Sequence, residues 1–167
     1  MKMKKIVLAA VVIALAPATA FAAPSGNSSN ASGSATATIV SPIVLTHNTG
    51  SLSFATFTTG TGGTVVVDSA GTATATGDVG LVPGATGSAD SFSVTGDASR
   101  SYSITTGGGT VGNGTSTMSF STSPSAASQT LSSGGTGSFT VGGTLTVAGT
   151  ETGGNYTGSY SATVAYN

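Results

Sequence analysis

The chain has 167 residues, of which 5% are charged and 26 are glycine, and it holds no cysteine and no tryptophan. The formal net charge is −1, and beyond Lys5 the chain keeps one base, Arg100, which leaves no basic surface for phosphate backbones, so nucleic acid is excluded as a partner. Without cysteine there is no disulfide staple, and stability must come from packing, backbone pairing or neighbours.

The first 22 residues read as a signal peptide. Lys2, Lys4 and Lys5 form a basic start, and Ile6 to Ala16, "IVLAAVVIALA", form an apolar run too short to span a bilayer. Pro17 breaks that run, and Ala20-Phe21-Ala22 forms an A-x-A cleavage site, so cleavage is expected before Ala23. No cysteine follows, which excludes a lipoprotein, and no second apolar run predicts a membrane span in the mature chain. Cleavage removes every lysine. It leaves one base, Arg100, against five acids, Asp68, Asp78, Asp90, Asp97 and Glu151, a net charge of −4. The expected route is export through the inner membrane, then transit of the periplasm to the cell surface or beyond.

Residues 23–34, "APSGNSSNASGS", predict a flexible polar leader. Residues 35–167 then predict one β domain. In "ATATIVSPIVLT" the odd positions Ala35, Ala37, Ile39, Ile43 and Leu45 share one face, the period of a strand, with Pro42 marking an edge or bulge. Leu52 and Phe54 share a face in "SLSFATF". "TVVVD" (Thr64 to Asp68) is a short buried-type run, and "TATAT" (Thr72 to Thr76) is small and alternating. "SFSVT" puts Phe92 and Val94 inward, "SYSIT" puts Tyr102 and Ile104 inward, and "GDASR" between them predicts a hairpin loop. "TMSFST" offers Met118 and Phe120. In "GSFTVGGTLTV", Phe139, Val141, Leu145 and Val147 face one way, with a bulge or bend expected at Gly142-Gly143. A final strand places Tyr156, Tyr160, Ala162, Val164 and Tyr166 on one face. No stretch of the mature chain shows helical period with caps, so about nine short strands predict an all-β fold, an antiparallel immunoglobulin-like sandwich in architecture.

Catalytic, cofactor and metal residues are not found. His47, in "LTHNTG", is the one histidine, and without a G-x-S-x-G or comparable context it reads as a loop residue with no partner. The acids stand singly, and no D-x-D-x-D loop occurs. One G-x-G-x-x-G match, at Gly107, Gly109 and Gly112, opens no helix and reads as a flexible loop. No enzyme class fits, and no cofactor is implied.

The last fourteen residues, "GNYTGSYSATVAYN", hold neither charge nor proline. Exposed edge strands are usually defended by one or the other. Such a strand is either buried centrally or used for pairing. The tail resembles the C-terminal signature of chaperone–usher pilus subunits: a penultimate aromatic (Tyr166), alternating residues before it (Val164, Ala162, Tyr160) and a glycine fourteenth from the end (Gly154). That resemblance implies an incomplete immunoglobulin-like sandwich. A periplasmic chaperone lends it a strand, and the next subunit's N-terminal extension replaces that strand at an outer-membrane usher, a form of β-augmentation. It makes Gly154, Tyr156, Tyr160, Ala162, Val164 and Tyr166 the assembly residues, and Ala35, Ala37, Ile39, Ile43 and Leu45 the candidate donor strand.

The segments "ATIVSPIVLT", "LSFATF", "SFSVTGDASRSYSIT", "GSFTVGGTLTV" and "YTGSYSATVAYN" are also similar to domain-of-unknown-function family 4402, found in small exported proteins of Gram-negative bacteria. The two resemblances together imply a structural subunit of a surface fimbria, pairing with copies of itself or with other subunits. The alternative is a secreted or surface-bound, non-enzymatic binding module for glycans or surface adhesion. An ice-binding surface, suggested by "TATAT", is a weaker third.

Overall fold

The computed structural model describes residues 26–167. The expected signal peptide and the first residues of the leader lie outside that range. No helix occurs among the described residues, and thirteen short strands replace the nine expected. They are β1 (Val44–His47), β2 (Phe57–Thr58), β3 (Gly63–Val67), β4 (Ala73–Gly77), β5 (Gly80–Leu81), β6 (Asp90–Thr95), β7 (Ser101–Thr106), β8 (Gly109–Gly112), β9 (Thr117–Pro124), β10 (Ser128–Thr130), β11 (Thr136–Val147), β12 (Thr157–Gly158) and β13 (Ala162–Tyr166). Ile39–Asn167 forms one compact unit.

Every strand pair is antiparallel. The larger sheet runs β1-β6-β11-β9-β8-β12, with β3 and β4 joined to it through β11. A three-stranded sheet, β10-β7-β13, is separate, and β2 pairs only β5. The architecture is all-β and sandwich-like, with the larger sheet curled into a half-barrel.

β11 organises the fold because its alternation is unbroken over twelve residues: Phe139, Val141, Leu145 and Val147 are all buried. Its first half pairs β6, and its second half pairs β3. Val141 pairs Asp90 and Gly143 pairs Val67, so the partner changes at Gly142. A Cβ at Gly142 would overlap the Val67 carbonyl oxygen and lie 2.8 Å from the Asp68 carbonyl carbon. The two glycines therefore form no bulge: the ladder to β9 runs through them in register. They let two strand ends meet on one edge of β11.

The apolar residues divide at the same point. One core gathers Phe54, Val65, Val67, Met118, Phe120 and Leu145 inside the curl of the larger sheet. The other gathers Phe92, Val94, Tyr102, Ile104, Phe139 and Val141 between the larger sheet and the three-stranded one. Tyr160 packs against both.

Four local expectations are corrected. Strand structure in Ala35 to Leu45 begins only at Val44, and Ala35, Ala37 and Ile39 are exposed outside any strand. "GDASR" is not a hairpin loop, because β6 pairs β1 and β11 whereas β7 pairs β10 and β13. It is an arch between sheets, held by Gly96 N–H donating to the Gly135 carbonyl (2.9 Å) and Ser99 N–H to that of Ser132 (3.1 Å). The glycine match Gly107-Gly109-Gly112 is largely strand β8, paired to β9, since backbone pairing outweighs glycine's weak strand preference there. The tail is two strands instead of one. Tyr156, Tyr160, Ala162, Val164 and Tyr166 do all point inward, yet Thr157–Gly158 pairs β8 in the larger sheet and Ala162–Tyr166 pairs β7 in the other.

Candidate functional site

Two features stand out, an open strand edge and a cleft beside it. β13 is an edge strand of the three-stranded sheet, with β7 on one side and no strand within Ile39–Asn167 on the other. Its register fixes which backbone groups are free. Asn167 N–H donates to the Ser101 carbonyl and Gly107 N–H to that of Ser161, so the odd-numbered residues bond β7. In an antiparallel ladder the alternate residues then direct N–H and C=O away from the partner. Those residues are Ala162, Val164 and Tyr166, whose half-buried side chains pack on the second core. β13 itself holds no charge and no proline.

Tyr166 closes one end of that core. Its hydroxyl accepts from Asp97 N–H (2.6 Å) and donates to the Ser41 carbonyl (2.8 Å), and the Arg100 guanidinium lies 5.5 Å from its ring centre. A Cβ at Gly96 would overlap the Tyr166 hydroxyl, which is why the arch needs glycine there. The penultimate aromatic thus ties the C-terminal strand to the β6–β7 arch and to the chain entering β1.

The other expected assembly residues fall elsewhere. Gly154 sits in an exposed loop at φ +155°, and Tyr156 packs on the first core with its hydroxyl donating to the Thr152 carbonyl (2.7 Å). Of the candidate donor strand, Ile43 and Leu45 pack on the second core of their own domain, and Leu45 pairs Val94 within β1. Ala35, Ala37 and Ile39 are exposed, Ile39 to 97%.

The cleft was not foreseen. His47 does have a partner: its Nε2 lies 2.7 Å from Asp90 Oδ1. This corrects the reading of His47 as a partnerless loop residue, since it ends β1 opposite Phe92 of β6. Asp90 is 4% exposed, and it also accepts from Ser91 N–H (2.9 Å) and, at Oδ2, from the Tyr160 hydroxyl (2.7 Å). Burial, followed by the hydrogen bond to Asp90 and its charge, pushes the Tyr160 phenol well above its ordinary value. The three side chains join β1, β6 and the crossover from β12 to β13. They border a cavity of about 500 Å³ lined also by Phe54, Phe120 and Tyr156. A second cavity of about 620 Å³ continues past Leu52 and Phe54 to Met118, Leu145 and Glu151. Among the described residues, no group of three or more His, Cys, Asp or Glu gathers within reach of one metal ion. No helix there is long and apolar enough to cross a membrane.

Residues 43–166 match the model of a family described as a domain of unknown function, DUF4402. The chain belongs to the DUF4402 family. Its match begins one residue before β1 and ends at the last residue of β13, so the open-edged strand β13 is part of the DUF4402 domain and the exposed Ala35–Ile39 segment precedes it. No curated protein and no solved structure matches this DUF4402 chain.

Proposed function

We propose that the protein is an exported structural subunit of a bacterial surface fimbria or similar assembly, polymerising by β-strand addition at the outer edge of β13. The observation that carries this reading is the free edge itself: outward N–H and C=O groups on Ala162, Val164 and Tyr166, with no charge or proline within β13. An incoming strand would complete the hydrogen bonds of β13. The exposed, uncharged segment Ala35–Ile39 of another copy is the donor, because Ile43 and Leu45 are already packed in their own domain. A periplasmic chaperone and an outer-membrane usher are the partners proposed for the subunit in transit, and the signal peptide is removed before Ala23 on export.

The test uses the chain from Ala23 to Asn167. Wild type is expected to form SDS-resistant multimers, and a peptide copying residues 35–40 to suppress them. Val164→Pro removes one outward N–H while leaving the β7 ladder intact, and it should remain folded but monomeric. A wild type that stays monomeric at high concentration, or a Val164→Pro variant that still multimerises, overturns the reading.

A second reading, a surface-bound binding module, is favoured by the cleft beside His47, where aromatic rings surround a buried carboxylate.

A further inference from the structure

Asp90 is the unusual group of this fold. It is a carboxylate 4% exposed, on the inward-facing parity of β6, where its neighbours Phe92 and Val94 are core residues. A buried carboxylate is stable when hydrogen-bonded and compensated in charge. Its hydrogen bonds come from Ser91 N–H, His47 and the Tyr160 hydroxyl, three donors for a group with about four acceptor positions. Of these, only His47 can carry a positive charge, and its side chain is half exposed. The remaining base of the described residues, Arg100, is held by Asp97 at 3.1 Å and lies against Tyr166. No lysine occurs after Lys5. The titratable groups facing the cavity are thus Asp90, His47, Tyr160 and Tyr156, and none of them is a permanent cation.

The walls suit a cation as well. Phe92 lies 5.0 Å from the His47 ring and stacks on Phe139, and Tyr160 meets both Phe92 and Phe120 edge to face. Aromatic faces attract ammonium groups, the more so where water is excluded. We propose that the cavity bordered by His47, Asp90 and Tyr160 binds a primary ammonium carried on a short aliphatic stem, with Asp90 as its counter-charge and the rings of Phe92, Phe120 and Tyr156 around the stem. The proposal is independent of strand addition. Because the chain has no lysine after Lys5, an ammonium on an aliphatic stem comes from another molecule, as a free alkylamine or as a lysine side chain of a different protein.

The test is an NMR titration of the chain from Ala23 with butylamine, butanol, N-acetyl-lysinamide and N-acetylglucosamine at neutral pH. Butylamine should shift the His47, Asp90 and Tyr160 signals saturably, and butanol should bind roughly tenfold or more weakly. Asp90→Asn, which keeps the volume and loses the charge, should abolish the preference for amine. His47→Ala should bind butylamine more tightly, since it removes the group that shares Asp90. That opposite sign also holds the test open if Asp90→Asn fails to fold. Tighter binding of N-acetyl-lysinamide than of butylamine identifies a protein side chain as the source, and equal binding identifies a free amine. Butanol binding as tightly as butylamine, saturable binding of N-acetylglucosamine alone, or no response to any amine overturns the proposal.

Discussion

Replacing Asp90 by alanine removes one carboxylate on which three elements converge. The Tyr160 hydroxyl, half-buried between the two cores, loses its acceptor, and an unsatisfied buried hydroxyl costs about 1–3 kcal/mol. His47 is half exposed, so its ring nitrogen turns to water and adds at most about 0.5–1 kcal/mol. Relief from burying a charge offsets part of this. The net expectation is a loss of about 2–3 kcal/mol for Asp90→Ala. Asp90→Asn should lose about half as much, because the amide can still accept from Ser91 N–H and donate to the Tyr160 oxygen. Urea unfolding followed by tyrosine fluorescence measures both, with the midpoint expected to shift and the slope to hold. An Asp90→Ala variant within about 0.5 kcal/mol of wild type would refute the view that this carboxylate joins β1, β6 and the crossover to β13.

Other outcomes follow from the same geometry. Burial and Asp90 raise the Tyr160 phenol, so its stabilising contribution is complete below about pH 10 and is lost as pH rises through the raised value. Stability should therefore fall above about pH 10. Tyr160→Phe should flatten that fall, leaving the part due to Tyr102, which burial alone raises. Gly142→Ala should destabilise by about 3 kcal/mol, the upper end of overpacking, because the added methyl meets fixed backbone at Val67 and Asp68. A stable Gly142→Ala would show that β6 and β3 do not meet on β11 as described. Tyr166→Phe should lose about 1 kcal/mol by freeing Asp97 N–H and the Ser41 carbonyl, and Tyr166→Ala about 3 kcal/mol once the half-buried ring is gone too.

The inward faces were legible because period two is a local property. Phe92 and Val94, Tyr102 and Ile104, Met118 and Phe120, and the four apolar residues of β11 are buried as their alternation predicts. Which strand pairs which was not legible. "GDASR" has hairpin composition, yet it crosses between sheets, and only the contacts of Gly96 and Ser99 with the 132–135 loop decide this. The tail kept its parity while changing sheets, a change that parity cannot reveal. Ala35 to Leu45 carries a strand pattern, but only Val44–His47 finds a partner in β6, and pattern without a partner makes no strand. The His47–Asp90–Tyr160 group was missed although a signal existed. Asp90 has the parity of Phe92 and Val94, and His47 that of Ile43 and Leu45. An acid on the inward face of a strand implies a buried partner, and the one histidine lay on the same kind of face.

Strand addition at β13 is tested most directly by amide hydrogen exchange of Ala162, Val164 and Tyr166, measured in the monomeric chain and again in the assembled material. Fast exchange of all three is expected in the monomer, while their neighbours Thr163 and Ala165 are protected by β7, and slow exchange of all five after assembly. Protection of Ala162, Val164 and Tyr166 in the monomer would mean that this edge is already covered. Fast exchange persisting in the assembled material would mean that the subunits join elsewhere. Either result contradicts the claim.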